Sequence, residues 1–158
     1  MAIKIPLVLD ADLKVQQLQT GDSIDVGADQ VTATFTSTAI AGAPVYSDGN
    51  DTVDLGQANA AGTSLVVGLA KAPVTAAASG DYVHDGPLDL LTGEWDALCG
   101  TTGGLTAGLC YFLSDATAGR LLEQGSTAGI TAGDTRVLCG RALSTTTMLV
   151  SISEPTLM

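Results

Sequence analysis

The sequence predicts an all-β fold, in which short strands form a compact barrel with one short helix and an extended N-terminal arm. Apolar runs are too short for typical helices, and 19 glycines among many Ser and Thr residues supply frequent turns. Hydrophobic residues make up 46% of the 158 residues and aromatic residues only 4%, so Val, Leu, Ile and Ala must build the core. A chain of this length buries roughly 70% of its surface on folding, so it needs no disulfide or metal.

The clearest strand covers residues 31–38, where Val31, Ala33 and Phe35 alternate with threonines. A period of two places one set of side chains on the core and the other in solvent. Further strands are predicted from short apolar runs at 64–70, 109–113, 136–139 and 147–152.

One short helix is predicted near the middle of the chain. Thr92 is the expected N-cap, and Glu94 lies in the first turn. Trp95 and Leu98 fall on one side at a spacing of three, and Gly100 ends the helix. As the only tryptophan, Trp95 is expected to close one end of the core.

A small residue followed by glycine recurs shortly before predicted strands. A glycine with positive φ suits a reverse turn at such a position. The pairs are Ala41-Gly42, Ser79-Gly80, Ala107-Gly108 and Ala132-Gly133.

The chain is predicted to comprise an N-terminal arm with edge strands (1–38) and a β domain (39–158). Similar elements recur in the same order within 39–90 and 104–153, which suggests two related β-units. Chance similarity in a chain rich in Gly and Ala is the alternative.

The N-terminal arm is the expected site of contact with a partner. Pro6 lies in its first apolar stretch, and proline in strands is confined to edges. Such an arm can pair with another chain by strand addition, although packing on its own domain is an equal alternative. The predicted contact residues are Ile3, Ile5, Pro6, Leu7, Val8, Leu9 and Leu18.

Charge and composition exclude several classes of partner. The net charge is −11 and the six basic residues are scattered, so neither nucleic-acid binding nor adhesion to an anionic membrane is expected. No signal peptide and no apolar run of about 20 residues is visible. The odd count of three cysteines predicts small buried thiols and synthesis in a reducing cytoplasm.

The residue pattern also argues against an enzyme. His84 is the only histidine, and no Gly-x-Ser-x-Gly motif accompanies it. Cys99, Cys110 and Cys139 lack the paired spacing of a zinc site. The stretch 48–51 offers oxygen ligands but lacks a full calcium-loop spacing, and a plain β-turn is the better interpretation. We therefore predict no catalytic residues, no cofactor and no metal.

Much of the chain resembles capsid-associated proteins of tailed bacteriophages, described as cement, decoration or head-fibre proteins. The resembling stretches are 41–46, 66–70, 93–98, 103–108, 111–115, 118–120 and 140–144, and 5–9 with 16–22 resembles the opening of many tailed-phage virion proteins. The resemblance implies a compact β domain, of the β-clip type in some small capsid-stabilising proteins. It also implies binding to the major capsid protein, often as a trimer.

The expected function is therefore structural: a protein made in the bacterial host cytoplasm that binds and stabilises the outside of a phage capsid. The expected partners are the major capsid protein and further copies of itself, with a trimer favoured and a dimer as the alternative. A tail or fibre component is the first alternative function. A small hydrolase or carbohydrate-binding module is a more remote one.

Overall fold

The structure is a computed structural model that describes residues 29–126 and 134–158, together with the backbone of two short strands before them. Among these residues, one helix and thirteen strands are assigned. They are β1 (Leu7–Leu9), β2 (Val15–Gln17), β3 (Asp29–Phe35), β4 (Pro44–Gly49), β5 (Thr52–Leu55), β6 (Val66–Ala70), β7 (Ser79–Asp89), α1 (Thr92–Cys99), β8 (Cys110–Leu113), β9 (Leu121–Glu123), β10 (Thr135–Arg136), β11 (Leu138–Ala142), β12 (Thr147–Ser151) and β13 (Thr156–Leu157).

Five strands close into a barrel in the order β3-β5-β4-β6-β7, because β3 pairs with both β5 and β7. The β3–β5 pairing is parallel and the other four are antiparallel. The predicted all-β fold, with a barrel of short strands and one helix, is confirmed.

The barrel is part of one continuous nine-stranded sheet, whose remaining strands we call the second sheet. The long strand β7 belongs to both parts. Its first half forms the barrel wall with β3 and β6, and its second half pairs with β12. Asp85 stands where the two sheets meet, with Asp29 of β3 on one edge and Ser151 of β12 on the other. From β12 the second sheet continues through β11 and β8 to β9.

The two segments that resemble each other in sequence use the same strand order. Strands β5-β4-β6-β7 are neighbours in the first segment, and β9-β8-β11-β12 are neighbours in the second. Within each set every pairing is antiparallel, and β7 and β12 lie side by side where the sets meet. The division of the chain at residue 38 and the relatedness of the two units stay predictions.

The predicted turns at Ala41-Gly42 and Ala107-Gly108 are present and have the same hydrogen bonds. The Gly42 N–H donates to the Ala70 carbonyl and the Gly108 N–H to the Ala142 carbonyl, both at 2.8 Å. Both glycines have positive φ, +78° and +86°. In each turn, therefore, a glycine in the left-handed region donates the hydrogen bond that joins the turn to the end of a neighbouring strand.

The turn predicted at Ser79-Gly80 is misplaced. Both residues lie in β7, and the turn is centred on Ala77, whose φ is +62°. The Ala77 N–H donates to the Phe35 carbonyl at 2.7 Å, which reproduces the bond made by the two glycine turns. An alanine here occupies a conformation that normally selects glycine, so the glycine pattern points to the wrong position. Ala132-Gly133 lies outside the described residues.

Helix α1 begins one residue earlier than predicted. Leu91, not Thr92, is the N-cap, and its N–H donates to the Glu94 carboxylate at 2.8 Å. Glu94 thus accepts from the N-cap N–H, which is one half of a capping box, whereas Leu91 has no side-chain oxygen to accept from the N–H groups of the first turn. Gly100 ends the helix as predicted, in the left-handed region at φ +68°.

The helix covers the turn at Gly42. Trp95 and Leu98 are fully buried, and the Trp95 indole N–H donates to the Thr146 carbonyl at 2.8 Å. A Cβ placed on Gly42 would lie 2.8 Å from Leu98 and 3.0 Å from Leu90. Trp95 therefore packs between the Gly42 turn of the barrel and Thr146 of the second sheet, and its expected place at one end of the core stays a prediction.

Period two holds along most of β3. Ala33 and Phe35 are buried, whereas Thr32 and Thr34 are exposed. Val31 departs from the prediction because 40% of its surface is exposed.

Candidate interaction surface

His84 does not lie in a polar cleft. Its side chain is exposed on β7, and Nδ1 lies 2.7 Å from the Val67 carbonyl oxygen. A carbonyl only accepts, so Nδ1 is the protonated nitrogen. Four open grooves lie among the described residues, and His84 lines none of these four. The absence of enzymatic activity stays a prediction.

The three cysteines are free thiols in different surroundings. Cys139 is fully buried, and Cys99 and Cys110 are half-buried, so the prediction of small buried thiols holds fully for Cys139 alone. Burial raises the pKa of Cys99 to about 12 and also raises the pKa of Cys139. Thiols held in the protonated form are poor nucleophiles and poor metal ligands.

The acidic stretch 48–51 forms the turn of the β4–β5 hairpin. Asp51 adopts a left-handed conformation at φ +57°, and the Thr36 hydroxyl donates to the Asp48 carboxylate at 2.7 Å. Hydrogen bonds from Thr36 and Thr52 lower the pKa of Asp48. The β-turn interpretation is therefore right. In 29–126 and 134–158, no group of three or more potential ligands is placed to hold a metal ion.

The outer side of the second sheet carries exposed apolar side chains. Pro87, Leu149 and Arg141 lie directly opposite one another on β7, β12 and β11. Met148 and Val150 on either side of Leu149 are fully buried, whereas Leu149 is 41% exposed. One side of this sheet therefore packs on the core, and the side that carries Leu149 is exposed to solvent.

Two further leucines extend this face at the end of the sheet. The Leu143 N–H donates to the Thr147 carbonyl, which continues the β11–β12 register by one residue. Leu91 follows the end of β7 in an extended conformation. Leu143 is 56% exposed and Leu91 73% exposed. We call Pro87, Leu91, Leu143 and Leu149 the leucine face.

Carboxylates flank the leucine face along β7. Asp85 and Asp89 are exposed and lie on either side of Pro87. Asp89 accepts a hydrogen bond from the Thr147 hydroxyl. Asp29 of β3 is directly opposite Asp85, and no described Lys or Arg side chain forms an ion pair with either of them. Like charges directly opposite in a sheet are destabilising.

The predicted contact residues of the arm cannot be placed on this surface. Ile3, Ile5, Pro6 and Leu18 lie outside the described residues. For Leu7–Leu9 the structure describes only the backbone strand, paired antiparallel with Val15–Gln17. The role of the arm therefore stays a prediction.

Sequence reasoning missed the leucine face. The run 147–152 predicts a strand, but the run alone does not show that Leu149 is exposed while Met148 and Val150 are buried. The available signal was the alternation itself: Leu149 shares a period-two set with Thr147 and Ser151, so it is an apolar residue on a polar face.

Comparison with known proteins does not assign a family. No protein-family model matches the chain, and no curated protein sequence matches it. Within the described ranges, α1 is far too short to cross a bilayer and no other helix is present.

Proposed function

We propose that this chain is a structural virion protein that binds the outside of a tailed-phage capsid and stabilises it. The sequence resemblance suggests this class, and the leucine face is the observation that carries the proposal. The largest exposed apolar patch on a soluble protein is often an interaction site. Leu149 and its neighbours lie on a sheet whose opposite side is fully buried.

The physical role is to contribute binding energy over a surface. A rigid β block loses little conformational entropy on docking, so more of its contact energy becomes affinity. Copies linked through a symmetric oligomer, with a trimer favoured and a dimer as the alternative, would add avidity on a repeating lattice of major capsid protein.

Fractionation of purified phage particles tests the proposal. Particles are disrupted, and heads without tails are separated from tails on a density gradient before the chain is detected with an antibody. We expect it to co-sediment with emptied heads, with the major capsid protein as the marker. Recovery with tails would instead favour the tail or fibre alternative, and absence from both fractions would overturn a virion role.

A His84→Ala variant tests the remote enzymatic alternative. We expect unchanged particle assembly and infectivity, because the imidazole is exposed and its hydrogen bond among the described residues is to a backbone carbonyl. Loss of infectivity with normal assembly would contradict a purely structural function.

A further inference from the structure

We propose that the leucine face docks onto a protein surface with an apolar centre flanked by Lys or Arg side chains. This inference rests on the proposed function, in which the capsid lattice supplies that surface. It goes further because it assigns the contact to particular side chains and states the chemistry of the partner.

The apolar side chains of the leucine face lie next to one another on neighbouring strands. Directly opposite residues on neighbouring strands have Cβ atoms about 5 Å apart, so Pro87 and Leu149 form one continuous row. Leu143 lies two residue pairs further along the sheet, opposite Thr147. Because the alternate side chains of the same strands are buried in the core, the strands hold the exposed side chains in fixed positions.

The carboxylates beside the leucine face favour a positively charged partner. Asp29 and Asp85 are opposite each other on the same sheet without a described cation, and Asp89 completes the flank on the other side of Pro87. Lys or Arg side chains on a partner would relieve the repulsion between these carboxylates. Complementary charge also accelerates association and suppresses wrong partners.

A second copy of this chain fits the face poorly. Two leucine faces in contact would bring two sets of carboxylates together, in a chain that already carries a net charge of −11. Arg141 is the cation beside Leu149, and its Nε–H donates to the Gly108 carbonyl at 2.9 Å, on the side toward β8. The face therefore favours a basic partner over self-association.

Strand addition along the second half of β7 is also disfavoured. The Leu90 N–H donates to the Thr146 carbonyl on the β12 side. By alternation, position 87 directs its backbone toward the other edge, where Pro87 has no N–H to donate. Proline on an exposed edge opposes pairing with another strand, so contact through side chains remains.

Rebinding to stripped heads tests the leucine face. Emptied heads freed of this chain by mild denaturant are mixed with labelled wild type, a Leu143→Asp/Leu149→Asp variant and a Leu65→Asp control. Leu65 is 55% exposed but lies outside the leucine face. We expect roughly tenfold or greater weakening for the double variant, as for loss of a central apolar contact, and near wild-type binding for the control.

Salt dependence tests the chemistry of the partner. We expect an Asp85→Asn/Asp89→Asn variant to associate several-fold more slowly than wild type at low salt and to depend less on ionic strength. An Asp51→Asn/Asp54→Asn variant, which removes two charges from the β4–β5 hairpin of the barrel, is the matched control. Unchanged or faster association of the double variant would overturn the proposal that the partner surface is basic.

The outcomes separate this inference from the proposed function. If wild type rebinds and the leucine variant rebinds equally well, the capsid role stands and the leucine face is overturned as its docking site. If wild type binds no heads in these conditions, the proposed function fails first. If wild type instead forms oligomers that the leucine substitutions dissociate, a second copy is the occupant and the basic partner is rejected.

Discussion

The turns at Gly42 and Gly108 have the same backbone and different surroundings. Each glycine has positive φ and donates its N–H across to the neighbouring strand at 2.8 Å. Gly42 is buried beneath α1, close to Leu98, whereas a Cβ on Gly108 would meet nothing within 4 Å. The comparison separates the backbone requirement of a left-handed turn, which both glycines meet, from the packing of α1 on the turn, which affects only Gly42.

A Gly42→Ala substitution should have the largest effect. Positive φ costs an L-residue about 1–2 kcal/mol, and the added methyl group overlaps Leu98 and Leu90, which adds about 1–3 kcal/mol for overpacking. We expect a loss of about 3 kcal/mol in the free energy of unfolding, measured by urea denaturation. Equal losses for Gly42→Ala and Gly108→Ala would show that α1 does not press on the turn.

A Trp95→Phe substitution should rank second. It removes the indole donor that meets the Thr146 carbonyl and leaves space beneath the helix. The Thr146 carbonyl keeps the Leu90 N–H as a donor, so the lost hydrogen bond costs only about 0.5–1.5 kcal/mol, and together with the space left by the smaller ring we expect a loss of about 2 kcal/mol. Tyr111→Phe is the matched control near the Gly108 turn, since the Tyr111 hydroxyl accepts from the Thr106 N–H at 2.8 Å. A greater loss for Tyr111→Phe would mean that the second turn has the stronger anchor.

Gly108→Ala should cost less, because the added methyl group faces open space. The backbone penalty alone predicts a loss of about 1–2 kcal/mol in the free energy of unfolding. Chemical denaturation beside Gly42→Ala measures the difference. A loss near zero would indicate that the turn changes conformation to accommodate alanine.

Ala77→Gly should have the smallest effect and the opposite sign. Ala77 has φ +62°, so glycine relieves strain but also gives the unfolded chain more freedom. We expect an increase in stability of up to about 1 kcal/mol in the same denaturation experiment. Destabilisation would mean that the Ala77 methyl group contributes packing that outweighs its strain.

The thiols report on which part of the molecule opens. Cys99 belongs to α1, and Cys139 is in the core of the second sheet. We expect both to react slowly with a thiol reagent at pH 8, and Gly42→Ala to accelerate Cys99 more than Cys139. Equal acceleration of both thiols would argue for global rather than local opening.

Because burial raises the folded-state pKa of Cys99 from 9.0 to about 12, its contribution to stability is present below pH 9 and is lost as the pH rises toward 12.

The sequence predicts the individual elements better than their arrangement. Short β-branched runs and the Trp95-to-Gly100 pattern are local, and strands and a helix occur there. Closure of the barrel depends on β3 meeting β7, a pairing across about fifty positions that no local period encodes. Likewise Ala77 does what glycine does elsewhere, which residue type alone does not reveal.

The leucine face was hidden for a related reason. Leu149 is adjacent in sequence to Met148 and Val150, and a short apolar run does not distinguish its two sides until a neighbouring sheet covers one of them. Its flank depends on Asp29 and Asp85, which come together only when β3 pairs with β7.

The eleven residues of β7 also have a consequence for how the molecule melts. Because Ser79–Asp89 supplies a wall of the barrel and the first strand beside β12, neither sheet can separate without exposing part of the other's hydrogen-bonding edge. Heating should therefore give one calorimetric transition whose van't Hoff and calorimetric enthalpies agree, rather than two steps. A fragment ending before β12 should be prone to aggregation, because half of its longest strand would be left without a neighbour.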